Sequence, residues 1–186
     1  YGMFSNNEWF NQDISGWNTS KVTNMSYMFR SAKNFNDGQA SGVGGSMPWN
    51  TAAVTTMLSM FSGASSFNQS IDYWDTSQVS SFESMFQNAW VFNNGSSSTS
   101  VSRMVWRTNS GVGTTMLYMF YDAKVFNQDI SGWDTSKVHN MSNMFGLALK
   151  FNNGDLSSGA GSKPLALNAS NVTNFSNMFL NARAFN

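Results

Sequence analysis

The chain has 186 residues, of which 41% are hydrophobic, 15% are aromatic and only 11% are charged. Because a disordered chain combines low hydrophobicity with high net charge, this composition excludes disorder. Ten basic residues balance ten acidic ones, and this neutrality disfavours nucleic acid as a partner. There is no cysteine, which excludes a disulfide framework, a thiolate metal site and a cysteine nucleophile, and no apolar run of about 18 residues predicts a membrane span.

One phrase recurs along the whole chain. A Met-Phe pair is followed, six residues after its Phe, by a second Phe that always precedes Asn, and the pairs begin at Met3, Met28, Met60, Met85, Met119, Met144 and Met178. The spacing alternates between 25 residues and 32 or 34 residues. This period predicts a single repeat array over residues 1–186, with about seven coils that alternate short and long. Because "NARAFN" at the end of the chain stops inside the phrase, we expect the array to be a piece of a longer chain.

Each coil is predicted to hold one short parallel strand and one short helix. Phe10 and Ile14 alternate with polar residues, as on one face of a strand, and Gly16 permits a corner. Thr19 or Ser20 then stands at a helix N-cap position. The stripe behind it has the spacing of a short helix: Val22, Met25, Met28, Phe29 and Ala32. Since one coil buries too little apolar surface to fold alone, stacked coils must support each other, and the fold class is a repeat solenoid.

The Asn of each Phe-Asn pair occupies one position per coil. We expect these residues to line up and satisfy backbone groups at the turn, forming a ladder: Asn11, Asn36, Asn68, Asn93, Asn127, Asn152 and Asn186. The alternative is seven independent turn-forming asparagines.

The long coils carry Gly- and Ser-rich insertions. They cover residues 38–47, 94–103 and 154–164 and predict a row of exposed loops along one edge. A row of loops on a rigid scaffold is a common place for binding specificity, but tolerated spacers are an equally good interpretation.

No residue pattern predicts catalysis, a cofactor or a metal. His139 stands where sister coils have Thr, so we expect it to face solvent. Asp13 and Asp129 share one coil position that Ser70 takes in the middle unit, and even carboxylates only two coils apart would lie roughly 10 Å from each other. This favours neither a glycosidase pair nor a string of calcium ions, and the chain is predicted not to be an enzyme.

Tryptophan recurs in a row: Trp17, Trp49, Trp74, Trp106 and Trp133. Such a row can stack on sugar rings, but aromatics that recur once per coil are more often core or corner residues. Trp9 and Trp90 fall outside the row and are expected at the surface.

Asn-x-Ser/Thr sequons mark candidate N-glycosylation sites at Asn18, Asn24, Asn68, Asn94, Asn140, Asn168, Asn171 and Asn174. Three of them share one coil position and are expected to point outward, where glycans would form a stripe: Asn24, Asn140 and Asn174.

The phrases "FNQDISGWDTSKVHNMSNMF" and "FNQDISGWNTSKVTNMSYMF" resemble the repeat of BspA-like leucine-rich-repeat surface proteins, a repeat also found in mycoplasma lipoproteins. The resemblance covers the whole chain, with departures in the inserts of the long coils and at Leu167, which replaces Trp. It implies a leucine-rich-repeat-like solenoid outside the cell or on its surface.

The leading interpretation is therefore an extracellular structural or adhesive surface protein that forms or belongs to a filament, with further repeats or copies of itself end to end as partners. The alternative is a recognition module that binds a glycan or a host protein through the loops of the long coils.

Overall fold

The computed structural model describes residues 1–97, 104, 106, 113–156 and 163–186. Within this part of the chain, regular structure is limited to four short strands: β1 at Gly45–Ser46, β2 at Gln69–Ser70, β3 at Thr114–Thr115 and β4 at Val138–Asn140. They form two parallel pairs, β1 with β2 and β3 with β4. None of the described residues belongs to a helix long and apolar enough to cross a membrane.

Successive repeats lie side by side in sequence order. We number the repeats 1 to 7 by the seven Met-Phe pairs, from Met3-Phe4 to Met178-Phe179. Parallel bridges and the β3–β4 pair join one position of each repeat to the same position of the next: Asn24, Thr56, Ser81, Thr115, Asn140 and Asn174. Because two parallel segments must be joined by a long connection, the chain passes through one full repeat between each of these positions and the next.

The Met-Phe segment is a run of turns, and the short helix expected over residues 22–32 is wrong. The N–H groups of Met28, Arg30 and Ala32 donate to the carbonyl three residues earlier. The alternate N–H groups donate instead to the next repeat at 2.7–3.1 Å, from Met25, Tyr27, Phe29 and Ser31 to Thr56, Leu58, Met60 and Ser62. Tyr27 and Ser31 have φ of +60° and +57°, which a right-handed helix cannot contain.

The expected N-cap of that helix has another role. Thr19 is buried, and its Oγ1 donates to the carbonyl of Asn50 in the next repeat at 2.8 Å. Thr51 and Thr135 make the same bond, each to a carbonyl of the repeat that follows its own, those of Asp75 and Asn168. The expected strand over residues 10–14 is irregular in repeat 1, whereas its counterpart in repeat 3 contributes β2.

The core consists of stacked aromatic columns and methionines. The Phe of each Met-Phe pair stacks on its counterpart in the next repeat with ring centroids 5.4–5.7 Å apart, as Phe29 does on Phe61. The Phe of each Phe-Asn pair forms a second column and lies 3.7–3.9 Å from the first ring of its own repeat. Met85 and Met144 are fully buried and Met28 is partly buried against this core. The interfaces between repeats are therefore the hydrophobic core itself.

Candidate functional site

The asparagine ladder is present and confirms the prediction made for it. The Oδ1 of Asn36 accepts the backbone N–H of Asn68, whose own Oδ1 accepts the N–H of Asn93. The same bond links Asn11 to Asn36, Asn93 to Asn127, Asn127 to Asn152 and Asn152 to Asn186, at 2.7–3.3 Å throughout. Each side chain thus satisfies a backbone donor of the following repeat, which fixes the register of the stack.

Short and long repeats use their ladder Asn differently. In short repeats, Oδ1 accepts a second N–H from a glycine of the next repeat, as Asn127 does from Gly154 at 3.0 Å. In long repeats, Oδ1 accepts instead from a Gln side chain of the next repeat, as Asn36 does from Gln69 at 2.9 Å and Asn93 from Gln128 at 2.8 Å. The alternation in length is therefore matched by an alternation in hydrogen bonding.

A buried turn follows the ladder Asn in each long repeat. Asp37, Asn94 and Asn153 have φ of +53°, +52° and +49°, and each is followed by a glycine that also has positive φ. Their Oδ1 atoms accept the N–H of Ile14, Ile71 and Ile130 at 2.8–3.0 Å. A Cβ on Gly154 would lie 2.9 Å from a backbone nitrogen, so this turn requires glycine on steric grounds as well.

Asp37 is the one acidic member of this set. Burial raises the pKa of its carboxyl, the N–H of Ile14 lowers it, and the negative charge of Asp13 raises it further, for a net increase. Asp13 itself is exposed, and the hydroxyl and N–H of Ser15 lower the pKa of its carboxyl. Asp13 and Asp129 therefore support local turns, since Asp129 makes the same two bonds to Ser131.

The tryptophan row belongs to the core, as the more frequent interpretation predicts. Trp49, Trp74, Trp106 and Trp133 are buried, and each Nε1 donates to a backbone carbonyl at 2.8–3.3 Å. Trp17, in repeat 1, is 40% exposed and stacks on Trp49. Leu167, which takes the Trp position in the last long repeat, is partly buried against the same core.

The structure separates the sequons into two groups. Asn68 and Asn94 are buried, and the Nδ2 atoms that would carry a glycan donate to Gly42 and Ser96 and to Asp72. These two sites are incompatible with N-glycosylation of the folded chain. The other candidates are exposed or half-buried: Asn18, Asn24, Asn140, Asn168, Asn171 and Asn174.

The long inserts are exposed only in part. Residues 38–46 are exposed except at Gly42, whereas the next two inserts begin with buried residues at Asn94 and at Gly154–Asp155. Residues 98–103 and 157–162 lie outside the described part of the chain, so the predicted row of loops remains a prediction.

The outer ends of the turns carry the largest chemical variety. We call "the outer turn face" the position two residues before the Phe of each Phe-Asn pair: Glu8, Lys33, Ser65, Trp90, Lys124, Leu149 and Arg183. Glu8 and Lys33 form an ion pair at 2.7 Å. Trp90 is 45% exposed, its Nε1 donates to Asp122 at 2.8 Å, and Lys124 Nζ lies 4.3 Å from its ring centroid.

Exposure of His139 and Trp9 is confirmed. No group of three or more His, Asp or Glu side chains with the geometry to hold a metal ion occurs in the part of the chain that the structure describes. The contacts around Trp90 were missed by the sequence reasoning. Aligning the repeats on Phe-Asn would have placed Trp90 and Lys124 in one column.

A family model described as "Mycoplasma protein of unknown function, DUF285" matches the chain twice, over residues 3–110 and 104–186. No curated protein and no solved structure matches the chain with significance. The two matches together span nearly the whole sequence and meet within repeat 4. The chain therefore belongs to the DUF285 family.

Proposed function

We propose that this chain is a structural or adhesive surface protein built as a leucine-rich-repeat-like solenoid, and that it works outside the cell. The surface location and the solenoid class come from the resemblance of its repeat phrase to BspA-like surface proteins. The proposal includes no enzymatic role, and it is supported by the ladder side chains, whose Oδ1 atoms accept backbone N–H groups of the following repeat.

The observation that carries the proposal is the direction of the hydrogen bonds between repeats. In each interface, N–H groups of one Met-Phe segment donate to carbonyls of the next segment. In repeat 7 the N–H groups of Asn177, Phe179 and Asn181 donate no hydrogen bond within residues 163–186 or to the other described residues. In repeat 1 the corresponding carbonyls, those of Tyr1, Met3 and Ser5, accept no hydrogen bond from the described part of the chain.

Each repeat within the stack thus offers donors on one side and acceptors at the same spacing on the other. A further repeat can join at either end, whether it belongs to the same chain or to another copy. Such a head-to-tail interface does not close on itself and generates a filament. Apolar side chains accompany the backbone groups at these ends, with Met3 64% exposed and Phe175 45% exposed.

Electron microscopy and light scattering over a range of concentrations test the proposal. We expect rods longer than one chain, and we expect Phe179→Glu to abolish them because it places a charge on an aromatic column that must stack on the next copy. Tyr73→Glu is the matched control, since Tyr73 is 79% exposed and belongs to no ring column of the core. Compact monomers at every concentration would contradict assembly.

The location needs a separate experiment. Biotinylation of intact source cells with a reagent that does not enter them should label the lysines of this chain, such as Lys33, whose side chain is 57% exposed. Labelling only after lysis would overturn the surface assignment.

A further inference from the structure

One aromatic side chain on the outer turn face, that of Trp90, is held in place by two neighbours and stays partly exposed. The indole of Trp90 is fixed at its edge by the hydrogen bond to Asp122 and covered on one face by Lys124. Both partners belong to repeat 5, which follows the repeat of Trp90. The opposite face of the indole is therefore directed towards repeat 3, and the ring remains 45% exposed.

At the outer turn face, repeat 3 has a small residue where its two neighbours have large ones. Ser65 takes the position of Trp90, and Gly63, with φ of +73°, takes the position two residues earlier. Repeat 2 has Lys33 at the position of Ser65, and this lysine is ion-paired with Glu8. The outer turn face thus has a notch, with Ser65 as its floor, the Trp90 indole as one wall and the Lys33–Glu8 pair as the other.

The size of the notch is set by the stacking of repeats. Lys33 and Trp90, the wall residues next to Ser65, belong to repeats 2 and 4, which are about 11 Å apart, twice the 5.4–5.6 Å between neighbouring Phe rings. An aromatic face takes a second ring at a centroid distance of about 4.5–7 Å. One ring laid flat against the indole therefore fits between the walls.

We propose that this notch binds one hexopyranose ring of a neutral glycan, stacked on the free face of Trp90. The apolar face of the sugar covers the indole, and its hydroxyls meet the Lys33–Glu8 pair and the Ser65 oxygen, which accepts from them because the Ser65 hydroxyl already donates to the carbonyl of Lys33 at 3.3 Å. The charges around the notch favour a neutral ligand, because each lysine at its walls has a carboxylate beside it or beside the same indole: Glu8 for Lys33 and Asp122 for Lys124.

The small apolar area of the notch favours a sugar over a protein partner. A stable protein interface buries about 800 Å² on each side, whereas the notch offers a single ring face. The site goes beyond the proposed surface role and gives that role a ligand class. Its binding measurement does not depend on assembly, so a monomeric chain that binds glycans would overturn the filament and leave the notch intact.

The test is a titration of the intact 186-residue chain with oligosaccharides that end in glucose, galactose, mannose or N-acetylglucosamine, with sialyllactose as the anionic member. The readout is the indole N–H cross-peak of Trp90 in a ¹H–¹⁵N correlation spectrum. We expect a neutral member to shift this peak at millimolar concentration. If no neutral oligosaccharide shifts it, or if only sialyllactose does, the proposal is overturned.

Three variants locate the site, and their affinities are measured by calorimetric titration with the same oligosaccharide, because Trp90→Ala removes the indole that reports binding in the spectrum. Trp90→Ala is expected to weaken binding at least about tenfold, because it removes the stacking face. Ser65→Leu should weaken binding similarly by filling the notch while Trp90 remains. Trp9→Ala is the matched control, since Trp9 is 84% exposed on another repeat, and its affinity should not change. Binding that survives Trp90→Ala, or that falls equally in Trp9→Ala, would reject the assignment, and circular dichroism verifies that each variant is folded.

Discussion

Asn127 provides the most direct test of the ladder. Its Oδ1 accepts the N–H groups of Asn152 and Gly154 at 2.7 and 3.0 Å, and its Nδ2 donates to the carbonyl of Asp155 at 2.9 Å. All three bonds are buried, so water cannot easily replace the missing partner. A buried group that loses its partner costs about 1–3 kcal/mol. At about 1.5 kcal/mol for each bond, Asn127→Ala should lower the free energy of unfolding by about 4–5 kcal/mol.

Urea denaturation followed by tryptophan fluorescence measures this loss. Asn34→Ala is the matched control, since Asn34 is exposed and its hydrogen bond to Glu8 comes from the backbone; its cost should stay under about 0.5 kcal/mol. Amide hydrogen exchange adds a local readout, because Asn152 and Gly154 should lose protection first in the Asn127 variant. A loss under about 1 kcal/mol with unchanged protection of both amides would refute the ladder as a source of stability.

Three further predictions concern the turns and the surface. Gly154→Ala should cost about 2 kcal/mol or more in urea denaturation, through positive φ and a backbone clash, whereas Gly16→Ala, with open space around its Cβ, should be nearly neutral. Because the pKa of Asp37 is raised in the folded state, the fold favours the protonated carboxyl. The stability that this preference adds is fully present below the ordinary aspartate pKa and is lost as the pH rises through the raised pKa. Asp37→Asn, which copies Asn94, should therefore raise the melting temperature at neutral pH and leave it unchanged in acid, and a pH series of melting curves that coincides with that of the native chain would contradict this. Secretion from a eukaryotic host followed by mass spectrometry should find Asn68 and Asn94 unmodified, and the stripe hypothesis fails if glycans are also missing from its three sites: Asn24, Asn140 and Asn174.

Much of the interior could be predicted from repetition alone. A residue that returns at every coil meets its own copy in the next coil, so the Phe columns, the buried Met85 and Met144 and the Asn ladder follow from spacing. The same reasoning placed Trp49 and its counterparts in the core. What repetition could not predict was the partner of each polar group, because a short coil and a long coil present different neighbours to the same Asn.

The Met-Phe segment was predicted wrongly for a physical reason. Apolar residues at intervals of three and four imitate one face of a helix, but a run of turns that reverses every third or fourth residue repeats at the same interval. The informative signal was the polar residues between them. Positions with positive φ are often Asn, Asp or Gly, as at Gly63, Asn88 and Asp122, and such residues disfavour helix interiors. Tyr27 and Leu147 also adopt positive φ, which their residue types gave no reason to expect.

The alternation of short and long repeats leads to a last prediction, in which a larger deletion is tolerated better than a smaller one. Removing residues 61–119 joins Met60 to Phe120 and keeps the alternation, so every remaining ladder Asn meets a neighbour of the correct length. Removing only residues 61–85 places two long repeats together. Asn36 then loses the amide of Gln69, and Asn94 loses the N–H of Ile71, because both partners lie in the deleted segment.

We therefore expect the chain without residues 61–119 to unfold cooperatively in urea, with a lower free energy of unfolding in proportion to its lost interfaces. The chain without residues 61–85 should be less stable than this shorter one, although it keeps 34 more residues. If the two deletions instead rank by length alone, neighbouring repeats recognise each other only through apolar stacking, and the double repeat has no role as a folding unit.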